Sequence, residues 1–134
     1  MRITGVVVDE VGAPRSDGTA GSALYVVPFQ LSRHPPTGWA EIFVACWNRP
    51  PQWTSMHRPG IASVRGDRIV LDGTTVPEVE RYHRETLLLV LNEANKQFSE
   101  LDARRRRAED AERLRLEEHK GSVSDAAKRL KFDP

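Results

Sequence analysis

With 134 residues, 39% of them hydrophobic and 29% charged, the chain has enough apolar side chain for one compact domain and some extra length. A formal net charge of +1 gives neither the basic excess of a protein that lives on phosphate nor an acidic tail. A single cysteine, Cys46, excludes an intrachain disulfide framework and points to a reducing compartment.

The opening, MRITGVVVDE, lacks the long apolar core and small-residue cleavage site of a secretory signal, and no stretch approaches the roughly twenty apolar residues of a membrane span. The expectation is a soluble, cytoplasmic protein. Ile3 to Asp9, with Val6, Val7 and Val8, predicts a first strand. The next segment, GAPRSDGTAGS, is made of turn formers and predicts a loop. Leu24 to Leu31 predicts a second strand, and Pro28, which cannot donate to a ladder, argues for an edge position or a bulge. Ser32 to Gly38, with Pro35 and Pro36, is a connection.

Trp39 to Trp47 (WAEIFVACW) is predicted as the clearest strand. Alternation sends Ala40, Ile42, Val44 and Cys46 to one face and Glu41, Phe43, Ala45 and Trp47 to the other. Both faces are largely apolar, and one helix covers only one face of a small sheet. A second copy of the chain is therefore expected on the other face, as a homodimer or higher homo-oligomer, with Phe43 and Trp47 at the interface.

Asn48 to Gly60 (NRPPQWTSMHRPG) is a loop long enough to be functional. Its Arg49, Trp53, His57 and Arg58, joined by Arg33 from the preceding connection, form the candidate binding set. Aromatic faces interleaved with guanidinium groups suit single-stranded nucleic acid, because bases stack on rings and phosphates pair with Arg. The competing reading places the tryptophans as caps on the core, and the missing basic excess favours it. Ile61 to Leu71 predicts a hairpin around Arg65, Gly66 and Asp67. That tripeptide is also the integrin-binding sequence, but a tight turn accounts for it.

The stretch from Asp72 to Leu101 organises the rest. Thr75 and Glu78 make a capping-box pair, and Pro77 falls in the first turn, where its missing N–H costs nothing. Leu87, Leu91, Ala94, Phe98 and Leu101 then recur on one helical stripe. Leu87 to Leu91 is apolar all the way round, so Leu88 and Leu89 are expected against another copy. Glu80 and His83 form an E-x-x-H pair, but it occurs once, and the remaining His and Cys show no ligand spacing; no metal is expected. No Gly-rich phosphate loop and no G-x-S-x-G elbow is present, so no cofactor and no catalytic residue is assigned.

Beyond Leu101 the stripe fades while helix formers persist. Glu100 with Arg104, Asp102 with Arg106 and Glu109 with Arg113 stand at spacings worth about 0.2–0.5 kcal/mol each. The helix is expected to run to about His119 and to end at Gly121 as a C-cap, with a short helix from Ser124 to Leu130. Gly121 to Phe132, GSVSDAAKRLKF, resembles the opening helix of helix-turn-helix domains of the Fis type; the recognition helix that follows in that family has no counterpart before Pro134. GTTVPEVERY is similar to the Gly-x-Thr-x-x-Glu helix start of small antitoxins of the HicB type, which capping chemistry alone would generate.

The expected fold is α+β: a small, mainly antiparallel sheet of about four or five strands, followed by one long C-terminal helix that packs on it and projects beyond it. The expected divisions are 1–101, 102–120 and 121–134. The expected function is a non-enzymatic, self-associating interaction or assembly protein that docks a partner through the long helix and central loop. The alternatives are a nucleic-acid-binding module using the Arg/Trp/His loop, and a small hydrolase or nuclease with His57 or His83 as proton carrier.

Overall fold

A computed structural model describes residues 1–133. The fold is α+β: a four-stranded antiparallel sheet followed by one long C-terminal helical rod. The strands are β1 (Ile3–Val6), β2 (Tyr25–Leu31), β3 (Ala62–Arg65) and β4 (Arg68–Thr74), in the order β1-β2-β4-β3. A first helix, α1 (Trp39–Asn48), lies between β2 and β3. The rod begins with one turn, α2 (Val76–Glu78), passes through a π-helical turn at Val79–His83, and continues as α3 (Arg84–Arg129).

The chain forms two compact units, Met1–Phe98 and residues 99 onward. The core lies in the first. Val27, Phe29 and Leu31 of β2, with Ile69 and Leu71 of β4, meet Trp39, Phe43 and Trp47 of α1 and Leu87, Val90, Leu91 and Ala94 of α3. In the second unit every described residue from 103 onward is exposed, and side chains pair along the helix, as in Arg106 with Asp102 and Arg115 with Glu112.

The β3–β4 hairpin forms where expected. Its two central residues are Gly66 and Asp67, and Gly66 adopts φ +59° as the first of them, which is the position a type II′ turn reserves for glycine. Pro28 sits in β2, an interior strand, rather than on an edge. Its carbonyl accepts from Val7 N at 3.0 Å, so its missing N–H faces the same side, where β1 has already ended at Val6. The proline is tolerated because β2 is locally an edge there.

Trp39 to Trp47 is helix, not strand. Trp39, Phe43, Cys46 and Trp47 are the buried residues of α1, at steps of four, three and one, which is one face of a 3.6-residue period. Trp39 and Phe43 stack at 5.2 Å, and each buried aromatic removes enough surface from water to contribute at most about 4–6 kcal/mol. Phe43 and Trp47, expected at an intermolecular interface, are both 0% exposed and belong to this chain's own core.

The helix does not stop at Gly121. α3 runs through it to Arg129, since glycine inside a helix costs about 1 kcal/mol, and thirty-odd neighbouring helix formers outweigh that. Among the described residues no helix is long and apolar enough to cross a membrane.

Candidate functional site

The loop between α1 and β3 is anchored at several points. Asn48 Oδ1 accepts from Gly60 N at 2.8 Å and closes its base. Trp47 Nε1 donates to the Arg58 carbonyl at 2.9 Å, and His57 Nε2 lies 2.7 Å from the Trp47 carbonyl. A carbonyl only accepts, so Nε2 carries the proton, and His57 caps one of the orphan carbonyls at the end of α1. Burial pushes its imidazole below the usual range, which keeps the ring neutral.

Arg58 reaches the start of the rod. Its Nε donates to Glu78 Oε1 at 2.8 Å and its Nη2 to Oε2 at 3.3 Å. His83 Nε2 also donates to Glu78 Oε1, at 2.9 Å. The hydrogen bond from Arg58, helped by that from His83, holds the Glu78 carboxyl below its ordinary range against the opposing effect of burial. Thr75 caps the turn as expected, accepting from Glu78 N at 3.1 Å. The reciprocal half of the capping box is absent among the described contacts, because the Glu78 carboxylate serves Arg58 and His83 instead. His83 pairs with Glu78, five residues back, not with Glu80.

This cluster is a staple, not an open site. His83 is 0% exposed and packs edge-on against Trp47, with ring centroids 5.7 Å apart. Glu78 Oε1 accepts two hydrogen bonds and Oε2 a third, all from side chains of this chain. Three buried polar atoms, Thr54 Oγ1, His57 Nδ1 and His83 Nδ1, have no partner, and none lines a described cavity. Trp53 stays 58% exposed with its ring edge-on to His57 at 5.0 Å. Arg33 and Arg49 are exposed, and Arg58 is committed to Glu78. Of the expected binding set the loop brings Trp53 and His57 together and holds Arg58 against Glu78. Among the described residues no three His, Cys, Asp or Glu side chains gather as a metal ligand set.

An open apolar groove lies elsewhere. A groove of about 440 Å³ runs between β1 and the start of the rod, with Ile3, Thr4 and Val6 on one wall and Val76, Glu80, Arg84 and Leu88 on the other; Phe29, Val79 and Leu87 also line it. Its lining is mainly apolar. Val6, Val76 and Leu88 keep 36%, 39% and 43% of their surface in water. Leu88 and Leu89, expected at an interface from the all-round apolar run, are both exposed on the rod. No sequence signal marked Val6, Val76, Glu80 and Arg84 as one wall, because that wall depends on where β1 and the rod meet in space.

Comparison with protein-family models, with curated proteins and with solved structures finds no match to this chain.

Proposed function

We propose that this chain is a non-enzymatic, self-associating interaction protein of the cytoplasm, and that the groove between β1 and the start of the rod is where another polypeptide docks. The observation that carries this reading is the groove itself. Val76 and Leu88 stand partly in water beside Val6, and covering what remains exposed of each would contribute up to about 1 kcal/mol. Cys46 is buried and free, in keeping with a reducing setting. The second unit offers further partner contact through its exposed Leu114, Leu116, Val123 and Leu130.

Light scattering and sedimentation equilibrium at micromolar concentration test the reading. The expected result is a mass above the 15.1 kDa of one chain that falls with dilution, and a return to 15.1 kDa in Leu88→Asp. A concentration-independent monomer overturns it.

Trp53 is the one observation that favours the nucleic-acid reading, since an exposed indole is a stacking platform. Binding of a single-stranded oligonucleotide at low salt, lost in Trp53→Ala, is its signature; no binding at low salt ends it.

A further inference from the structure

Resting on the self-association reading, we propose that the occupant of the groove is the same groove wall of a second copy, laid antiparallel across a two-fold axis so that Val76 meets the other copy's Leu88 and Glu80 meets the other copy's Arg84. The rod contributes four residues to the exposed rim of the groove, Val76, Glu80, Arg84 and Leu88, each four positions after the last. A four-residue step drifts by about 40° in an uninterrupted α-helix, and the wider π-helical turn at Val79–His83 offsets part of that drift. All four therefore face one channel.

Their chemical order is apolar, acid, base, apolar. Reversed, it becomes apolar, base, acid, apolar, which is its own complement. A two-fold interface brings one surface against an identical one, so the stripe that fits must satisfy this condition. The axis passes at the level of Tyr82, with Glu80 and Arg84 two residues to either side and Val76 and Leu88 six to either side.

The charges are available for this. Glu80 and Arg84 are exposed, and among the described residues neither makes an ion pair within the chain. Acid before base at a spacing of four is the arrangement that forms a pair on an ordinary helix, as Asp102 and Arg106 do further along. Glu80 and Arg84 make no such pair within the chain among the described residues, which leaves both side chains for a partner. A foreign partner would need no such symmetry in the wall, and the symmetry is what selects a second copy.

The test is a charge exchange read by sedimentation equilibrium on the full chain. Glu80→Arg and Arg84→Glu each turn two attractive contacts per dimer into repulsive ones, and each is expected to weaken association by roughly tenfold or more. The double variant E80R/R84E restores both contacts and the dimer. An equimolar mixture of the two single variants forms a heterodimer, because each copy then carries what the other lacks. Both positions are exposed, and a far-UV circular dichroism spectrum matching wild type shows that the variants fold. If Leu88→Asp abolishes the dimer while both charge variants leave it intact, the groove reading stands and this register is overturned. If the wild-type chain is a monomer throughout, the self-association reading fails and this pairing with it. If the single variants are monomeric but their mixture is too, the reciprocal pairing is overturned.

Discussion

Glu78 and His83 are joined across a π-helical turn, with Nε2 of the imidazole 2.9 Å from Oε1 of the carboxylate. In an α-helix residues five apart point about 140° away from each other. Hydrogen bonding from i to i+5, seen here from Arg84 N to the Val79 carbonyl, brings them one above the other. The same turn places His83 under Trp47 and lets Arg58 close the other side of the carboxylate, so one irregular turn links the rod, α1 and the long loop.

Replacing Glu78 by Gln keeps the shape and removes the charge. Glu78 is 11% exposed and Arg58 35%, so the pair is neither fully buried nor a free surface bridge. We expect a loss of about 2 kcal/mol, the lower part of the range for charged hydrogen bonds after allowing for solvent at Arg58. The shift of the urea midpoint measures it. Arg58→Ala combined with Glu78→Gln should cost less than the sum of the two, and strict additivity would show that they are not coupled.

Stability should fall in two separable pH windows on acidification. Burial holds the His57 imidazole below its usual 6.5, so the unfolded chain binds more protons there and stability falls as pH drops below that value. The Glu78 carboxyl, held down first by Arg58, contributes in full above the usual 4.5 and loses that contribution as pH falls through its lower folded value. Denaturation midpoints taken from about pH 7.5 down to about pH 2 should show both slopes. His57→Gln should flatten the first and Glu78→Gln the second. An unchanged first slope in His57→Gln would assign it to another group.

The elements held together by short-range signals were legible in the sequence. Gly66 with Asp67 marked the hairpin, Thr75 with Pro77 marked the start of the rod, and the stripe from Leu87 to Leu101 marked its buried face as far as Ala94, with Phe98 half-buried and Leu101 exposed. The run Leu87 to Leu91 announced that Leu88 and Leu89 would lack cover. What failed was Trp39 to Trp47, where a run rich in aromatic and β-branched residues satisfies a period of two and a period of 3.6 alike. Burial at Trp39, Phe43, Cys46 and Trp47 shows which period won, and tertiary packing decided it. The groove and the staple were out of reach for a different reason: Arg58 with Glu78, and Val6 with Leu88, are partners only after the sheet and the rod have met.

Asn95 ties three parts of the first unit together. Its Oδ1 accepts from Trp39 Nε1 at 2.9 Å and its Nδ2 donates to the Met1 carbonyl at 2.9 Å, linking α3, α1 and the N-terminal segment. Trp39 is 1% exposed, so Asn95→Ala leaves a buried N–H without a partner, at a cost of about 1–3 kcal/mol. Trp39→Phe made on top of Asn95→Ala removes that orphan donor and should cost less than it does in wild type. Thermal or urea unfolding of the four members of the cycle gives the coupling, and a value near zero would mean the bond contributes nothing to stability.

Gly121 lies inside α3 with a backbone that is not left-handed and with open space where a Cβ would stand. Alanine there meets no atom and loses less backbone entropy on ordering, so Gly121→Ala should stabilise that part of the helix by about 1 kcal/mol. A glycine at a left-handed C-cap would respond in the opposite sense, because alanine is strained there. Amide hydrogen exchange over the residues flanking position 121 distinguishes the two. Slower exchange in the alanine variant fits a helix continuing to Arg129, whereas faster exchange and lost helicity would restore the break at Gly121 and separate the last segment from the rod.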